Sequence, residues 1–225
     1  MYSFVTHTWN VIKGKCEHDC LYCYMKEFKL GRLHIDRKEF HTNLDESEFV
    51  FIGSSTDMWA KNVSKEWIIE VLDYVKKFKC RILFQSKYPE RFRELKEYLP
   101  DKERLVLGTT IESDIFYPEY MGQTVTPAER SKSMAELSKE YTTMVTVEPI
   151  MQFSQKLETV LLLCSPEWIN IGFDSKSHHL PEPGIQQVMN LVSHLREAGT
   201  TVKIKENSRR VLGNDIYDRL NGCRD

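Results

Sequence analysis

The chain's 225 residues are 41% hydrophobic and 28% charged, with only 10 Gly and 8 Pro. That length suits one large domain with a sizeable core, and that composition excludes disordered, collagen-like and low-complexity chains. Lys and Arg total 31 against 33 Asp and Glu, a net charge of −2; no global basic field advertises nucleic acid, so such a contact has to be a local patch.

In chain order, residues 4–11 read as a first strand that runs into a cysteine-bearing loop at 13–26. Residues 48–52 form a second strand, followed by a helix over 65–79 that carries Trp67, Ile68, Val71, Leu72 and Val75 on one face, with Ser64 as N-cap. A third strand at 81–84 precedes a helix over 90–98 that Pro100 ends, and a fourth strand spans 105–107 and 109–111. Thr126-Pro127-Ala128-Glu129 is a capping box with Pro at the first helical position, opening a helix that runs through 130–141. A strand at 144–147, a helix at 157–164, a strand at 168–171, a helix at 185–198 closed by Gly199, a strand at 201–204 and a short helix at 215–220 complete the pattern.

About seven strands with mostly helical crossovers describe α/β architecture with mostly parallel strands. A doubly wound sheet is the competing arrangement, but no G-x-G-x-x-G follows the first strand, so a barrel or partial barrel fits better. No linker divides the chain: a single domain is expected over 1–225, with its last strand and helix at about 200–225. The least regular stretches, 26–44 and 115–125, both follow strands, on the side where α/β folds place their sites. No run nears the roughly 18 apolar residues of a membrane span, and the first residues show no basic-then-apolar leader. A cytoplasmic location without membrane contact is expected, where clustered thiols bind metal more often than they crosslink.

The cysteines divide in two. Cys80, Cys164 and Cys223 are scattered, and Cys164 ends an apolar helix as a core residue would. Cys16, Cys20 and Cys23 make C-x3-C-x2-C. A zinc site prefers four ligands in two pairs; His18 could be the fourth, although one loop wrapping all four would be cramped. A [4Fe–4S] cluster takes one thiolate per iron, so three cysteines leave one iron open to a small ligand.

These three cysteines, with Tyr22 just before the third, resemble the signature of the radical SAM superfamily. The resemblance implies a partial (β/α)6 TIM-type barrel and S-adenosylmethionine (SAM) chelating the open iron. It implies reductive cleavage to a 5′-deoxyadenosyl radical that abstracts hydrogen from a substrate, with electrons from a flavodoxin or ferredoxin type of donor. Tyr22 and Tyr24 then fall among the cofactor contacts.

The second strand ends Gly53-Ser54-Ser55-Thr56-Asp57-Met58-Trp59, where many members carry a Gly-Gly-Glu-like motif. This form is closer to the spore photoproduct lyase-like and phage-associated branch. Ser55, Thr56 and Asp57 can accept hydrogen bonds from the methionine ammonium, and Trp59 is a candidate substrate contact. Lys87 at the third strand's end suits the methionine carboxylate. In the resembling branch the stretch with Glu112 lines the cofactor's ribose and carboxylate, and Arg130 faces that carboxylate, a pairing suited to a guanidinium. Glu148 follows the fifth strand at the barrel mouth and is, with Asp57, the candidate catalytic carboxylate. Ile171 is expected against the adenine, with Asn170, Asp174 and Lys205 toward substrate.

For substrate the resemblance suggests a nucleic-acid base or modified nucleotide, in DNA, RNA or free. Lys26, Lys29, Arg32, Arg37 and Lys38, with Arg209 and Arg210, could contact phosphates or could equally line a solvated face. An activase that installs a glycyl radical on a partner enzyme, and a non-catalytic iron–sulfur or zinc-binding protein, remain the alternatives. His34, His178 and His179 are too isolated to form a site.

Overall fold

A computed structural model describes residues 2–222, so Cys223 lies outside the described residues. Its strands are β1 (His7–Trp9), β2 (Ile12–Lys13), β3 (His34–Ile35), β4 (Phe49–Ile52), β5 (Arg81–Ser86), β6 (Leu105–Thr110), β7 (Thr142–Val147), β8 (Trp168–Ile171) and β9 (Thr201–Ile204). Its helices are α1 (Lys65–Val75), α2 (Glu90–Glu94), α3 (Pro118–Met121), α4 (Pro127–Leu137), α5 (Lys156–Leu163), α6 (Ile185–Glu197) and α7 (Arg209–Asn221). Seven strands form one sheet in the order β1-β4-β5-β6-β7-β8-β9, every neighbouring pair parallel. The sheet stays open between β1 and β9, so the barrel is partial. Six strand–helix units, β4–α1 through β9–α7, follow the leading strand β1, which matches the expected (β/α)6 count with one strand added.

Parallel strands covered on both faces become nearly continuous apolar runs, and both faces here are packed. Val50, Ile52, Ile82, Phe84, Leu107, Val145, Val147 and Ile169 point outward into the main core, where Ile68, Leu72, Met134, Leu161 and Leu195 meet them from the helices. Each such fully buried side chain contributes about 1.5–3 kcal/mol. Opposite, Phe49, Leu83, Val106, Met144 and Trp168 pack with Tyr2, Phe4 and Val5. The expected strand over 4–11 is therefore shorter, His7–Trp9 alone. The residues before it cross the inner face, where Tyr2 stacks on Phe4 with ring centroids 5.4 Å apart and Phe4 meets Trp168 edge-on at 5.3 Å.

Local signals hold where a cap or turn dictates them. Ser64 accepts from the Trp67 N–H at the start of α1, and Thr126 and Glu129 close the capping box of α4. The last helix is longer than the expected 215–220 because two helical pieces join across Gly213, whose φ of 73° breaks the helical course. No helix among the described residues is long and apolar enough to cross a membrane.

Candidate active site

The cysteine loop leaves β1 and is gripped at its base by a pairing absent from the sequence reading, the antiparallel β2–β3 ladder. Lys13 bridges Asp36 at 2.8 Å and Glu39 at 2.7 Å across it. Gly14 adopts φ +113°, and a Cβ there would lie 2.4 Å from the Arg32 carbonyl oxygen, so only glycine fits. From the other side the turn of α3 supports the loop: the Leu21 N–H donates to Tyr120 O at 2.8 Å and the Gln123 N–H to His18 O at 2.7 Å. Gly122, at φ +66°, makes this approach possible, since a Cβ there would sit 2.1 Å from His18 O. The irregular stretch 115–125 is thus a platform for the cysteines.

Two polar anchors tie the loop to strand ends. The first is Asp57, after β4. Its carboxylate contacts His18 Nε2 at 2.8 Å and accepts from the Ser86 hydroxyl and the Lys87 and Trp59 N–H groups, each at 2.9 Å. Burial raises the Asp57 pKa, but the His18 contact and these donors outweigh it and hold the carboxyl below the ordinary carboxylate range. The second is Glu112, after β6, which is fully buried. It accepts from the Tyr22 hydroxyl and Lys87 Nζ through one oxygen, and from Arg130 Nη1 at 2.8 Å through the other. Burial opposes ionisation here too, yet the Arg130 and Lys87 charges push the Glu112 carboxyl far below its usual range.

Strand ends and loop enclose a cavity of about 900 Å³, within the range of small-molecule sites. Cys16, Cys20 and Cys23 all line it, and all three are free thiols. Burial pushes the Cys16 thiol up to about 12 and raises Cys20 as well, so metal loading would displace protons. Of the residues expected at the site, Tyr22, Tyr24, Ser55, Asp57, Lys87, Glu148, Asp174 and Lys205 also line the cavity. Glu148, also lining the cavity, meets Lys205 Nζ through one oxygen and accepts from Asn207 Nδ2 at 2.7 Å through the other. Gly172 lets them pack, because a Cβ there would lie 2.8 Å from both Glu148 Oε1 and Asn207 Oδ1. Asp174 is committed to its own turn, accepting from the Lys176 and His178 N–H groups and contacting His178 Nδ1 at 2.7 Å.

Other expected contacts lie elsewhere. Trp59 is fully buried, edge-on to Phe84 and Phe92 with centroids 5.2 and 4.7 Å away; the turn set by Asp57 sends its ring into the core rather than toward substrate. Thr56 spends its hydroxyl on Gly14 O at 2.9 Å, fixing the loop base. Arg130 is fully buried, and besides Glu112 its guanidinium donates to Thr110 O and Val125 O; it stands behind Glu112 and not at the cavity. Ile171 points outward into the main core, and Asn170 is buried beside Met144. Neither lines the cavity. Among the lining residues that the sequence does not place at the site are His18 and Tyr2. His18 reads in the sequence only as a cramped fourth zinc ligand, whereas in the fold it meets Asp57; Tyr2 carries no motif. Tyr2 donates to Gln85 Oε1 and contacts Thr146 Oγ1, both at 2.6 Å. The polar Gln85 in an apolar strand was the signal available.

The donor set fits a polynuclear cluster. Three free thiols share one loop and one cavity, the donor set of a cluster that keeps one iron open. His18 Nδ1 is buried there without a partner. Cys80 and Cys164 are buried in the main core.

The sequence matches no family model and no curated protein. Solved structures do match. SuiB of Streptococcus suis, bound to its precursor peptide SuiA, aligns at TM-score 0.67 and 10% identity, over 98% of this chain and 55% of that one. A double mutant of spore photoproduct lyase, with bound AdoMet and a dinucleoside spore photoproduct, aligns at TM-score 0.51 and 11% identity, covering 96% of this chain and 60% of the lyase. A single mutant of the same lyase gives 0.57 and 9%, covering 90% and 74%. This chain therefore spans a little over half the length of SuiB. At these identities the likeness establishes the fold.

Proposed function

We propose that the chain is a radical SAM enzyme whose Cys16, Cys20 and Cys23 hold a [4Fe–4S] cluster. The observation that carries this reading is the placing of three free thiols on one doubly anchored loop, facing a cavity at the strand ends of this fold. When bound, the cluster and SAM would supply reductive SAM cleavage and hydrogen abstraction from a substrate. The chain's own part is orientation. The β2–β3 ladder, Asp57 and Glu112 hold the cysteine loop in place. Ser54 and Ser55 line the cavity, and Asn10 shapes their turn by accepting from the Ser55 N–H at 2.9 Å. Glu148 and Lys205, paired with each other, place an acceptor and a donor at the cavity. A flavodoxin or ferredoxin type of donor would supply the electron.

For substrate we favour a nucleic-acid base or modified nucleotide. Tyr24 and Phe28, both exposed, stand at the cavity with Lys26, a rim on which a base can stack beside a phosphate. Lys26 is paired with Asp19 and Arg37 with Glu70. Lys29, Arg32 and Lys38 have no acidic partner among the described residues, and Arg209 and Arg210 are tied to Asp218 and Glu182. The higher TM-score to SuiB, bound to a peptide, makes a peptide substrate the competing reading. Binding of single-stranded DNA and RNA to the loaded protein tests the choice. Affinity that falls steeply with salt, and weakens with Lys29→Ala and Arg32→Ala, is expected. Salt-insensitive binding, unchanged in these variants, would favour the peptide.

A further inference from the structure

We propose, on the cluster reading above, that Lys87, Glu112 and Arg130 form a buried charge set that tunes a cluster held by the cysteine loop, with Lys87 making its reduction potential less negative. Glu112 and Arg130 are both fully buried and pair at 2.8 Å, which already balances the carboxylate. Lys87 adds a second cation to the same carboxylate, so two cations face one anion and one positive charge is left over. That extra charge stands on the cysteine side. Lys87 lines the cavity with all three thiols, and its Nζ lies 3.0 Å from the Tyr22 hydroxyl and 5.1 Å from the Tyr22 ring centroid. Tyr22 sits between Cys20 and Cys23.

The Lys87 side chain is only 17% exposed, so water screens its charge weakly. A thiolate-held cluster becomes more negative on reduction, and its potential follows net charge and hydrogen bonding around it. A fixed cation on that side favours the reduced state, and the Glu112 carboxylate opposes it. Glu112 is thus a positioning residue that holds Lys87 and Tyr22 at the loop while tempering the charge that Lys87 brings.

The sign of the effect separates tuning from mere support of the loop. A redox titration of the reconstituted protein without SAM, followed by cluster absorbance, is the measurement. Lys87→Met should shift the midpoint to more negative potential, Lys87→Arg should keep it near wild type, and Glu112→Gln should shift it the opposite way. Shifts of one sign in Lys87→Met and Glu112→Gln, or a Lys87→Arg shift as large as that of Lys87→Met, would overturn the inference. Should Glu112→Gln fail to fold, the Met and Arg variants decide alone, and an unmoved midpoint in Lys87→Met also overturns it. A wild-type chain that takes up no cluster would overturn the cluster reading itself, and this inference with it.

Discussion

At the scale of single residues, the site depends on a few buried polar groups and on glycines that let backbones and side chains meet. Gly172 is the sharpest case, because what a methyl group would strike is the ends of two side chains, Glu148 and Asn207, rather than backbone. Gly172→Ala should therefore displace Glu148 while leaving the fold nearly intact. We expect Tm to fall by no more than about 4 °C, roughly 1 kcal/mol, with a loss of substrate turnover of about 10–100-fold. A large fall in Tm with turnover preserved would contradict the placing of Glu148. The residue types at the site were legible in the sequence: Asp57, Lys87, Glu148 and Lys205 all reach the cavity. Their partners were not, since His18 meets Asp57 across 39 positions and Tyr22 meets Glu112 across 90. Trp59 shows the limit from the other side, because an aromatic beside a site motif carries no sign of whether its ring turns inward or out.

Among elements, the segment before β1 does more than lead into a strand. Tyr2 fills the inner face against Phe49, Leu83, Val106 and Met144, and its hydroxyl joins β5 to β7 through Gln85 and Thr146. Tyr2→Ala should cost about 3–4 kcal/mol in urea denaturation, and Tyr2→Phe about 1 kcal/mol. A cost well under 1 kcal/mol for the alanine variant would mean that the segment does not hold the inner face. Strand and helix order was legible because both periods are written in the apolar pattern, as in α1 and α6, and because caps such as Ser64 and Thr126 mark starts. The β2–β3 ladder was not, since two-residue strands show no alternation. Nor was the support of the cysteine loop by α3, which runs through backbone groups and a glycine.

For the whole molecule, the open seven-stranded sheet gathers the loop and strand ends at one rim, and near-neutral net charge conceals strongly organised local charge. Glu112, Asp57 and Asp174 all ionise below the ordinary range in the folded chain, burial being outweighed by their cations and hydrogen bonds. The stability they contribute is fully present above the unfolded carboxylate pKa of about 4, and is lost as pH falls through the lower folded values. Thermal melts should give a Tm that holds from neutral pH to about pH 5 and declines below about pH 4; a Tm that rises on acidification would contradict this. On the proposed function, Cys16, Cys20 and Cys23 hold a cluster that cleaves SAM. Anaerobic reconstitution, reduction and addition of SAM, with 5′-deoxyadenosine measured as product, tests it. The expected result is about four iron atoms per chain and formation of 5′-deoxyadenosine, both abolished by Cys20→Ala. A loaded, reduced chain that leaves SAM intact, or a Cys20→Ala variant that still cleaves it, would contradict it.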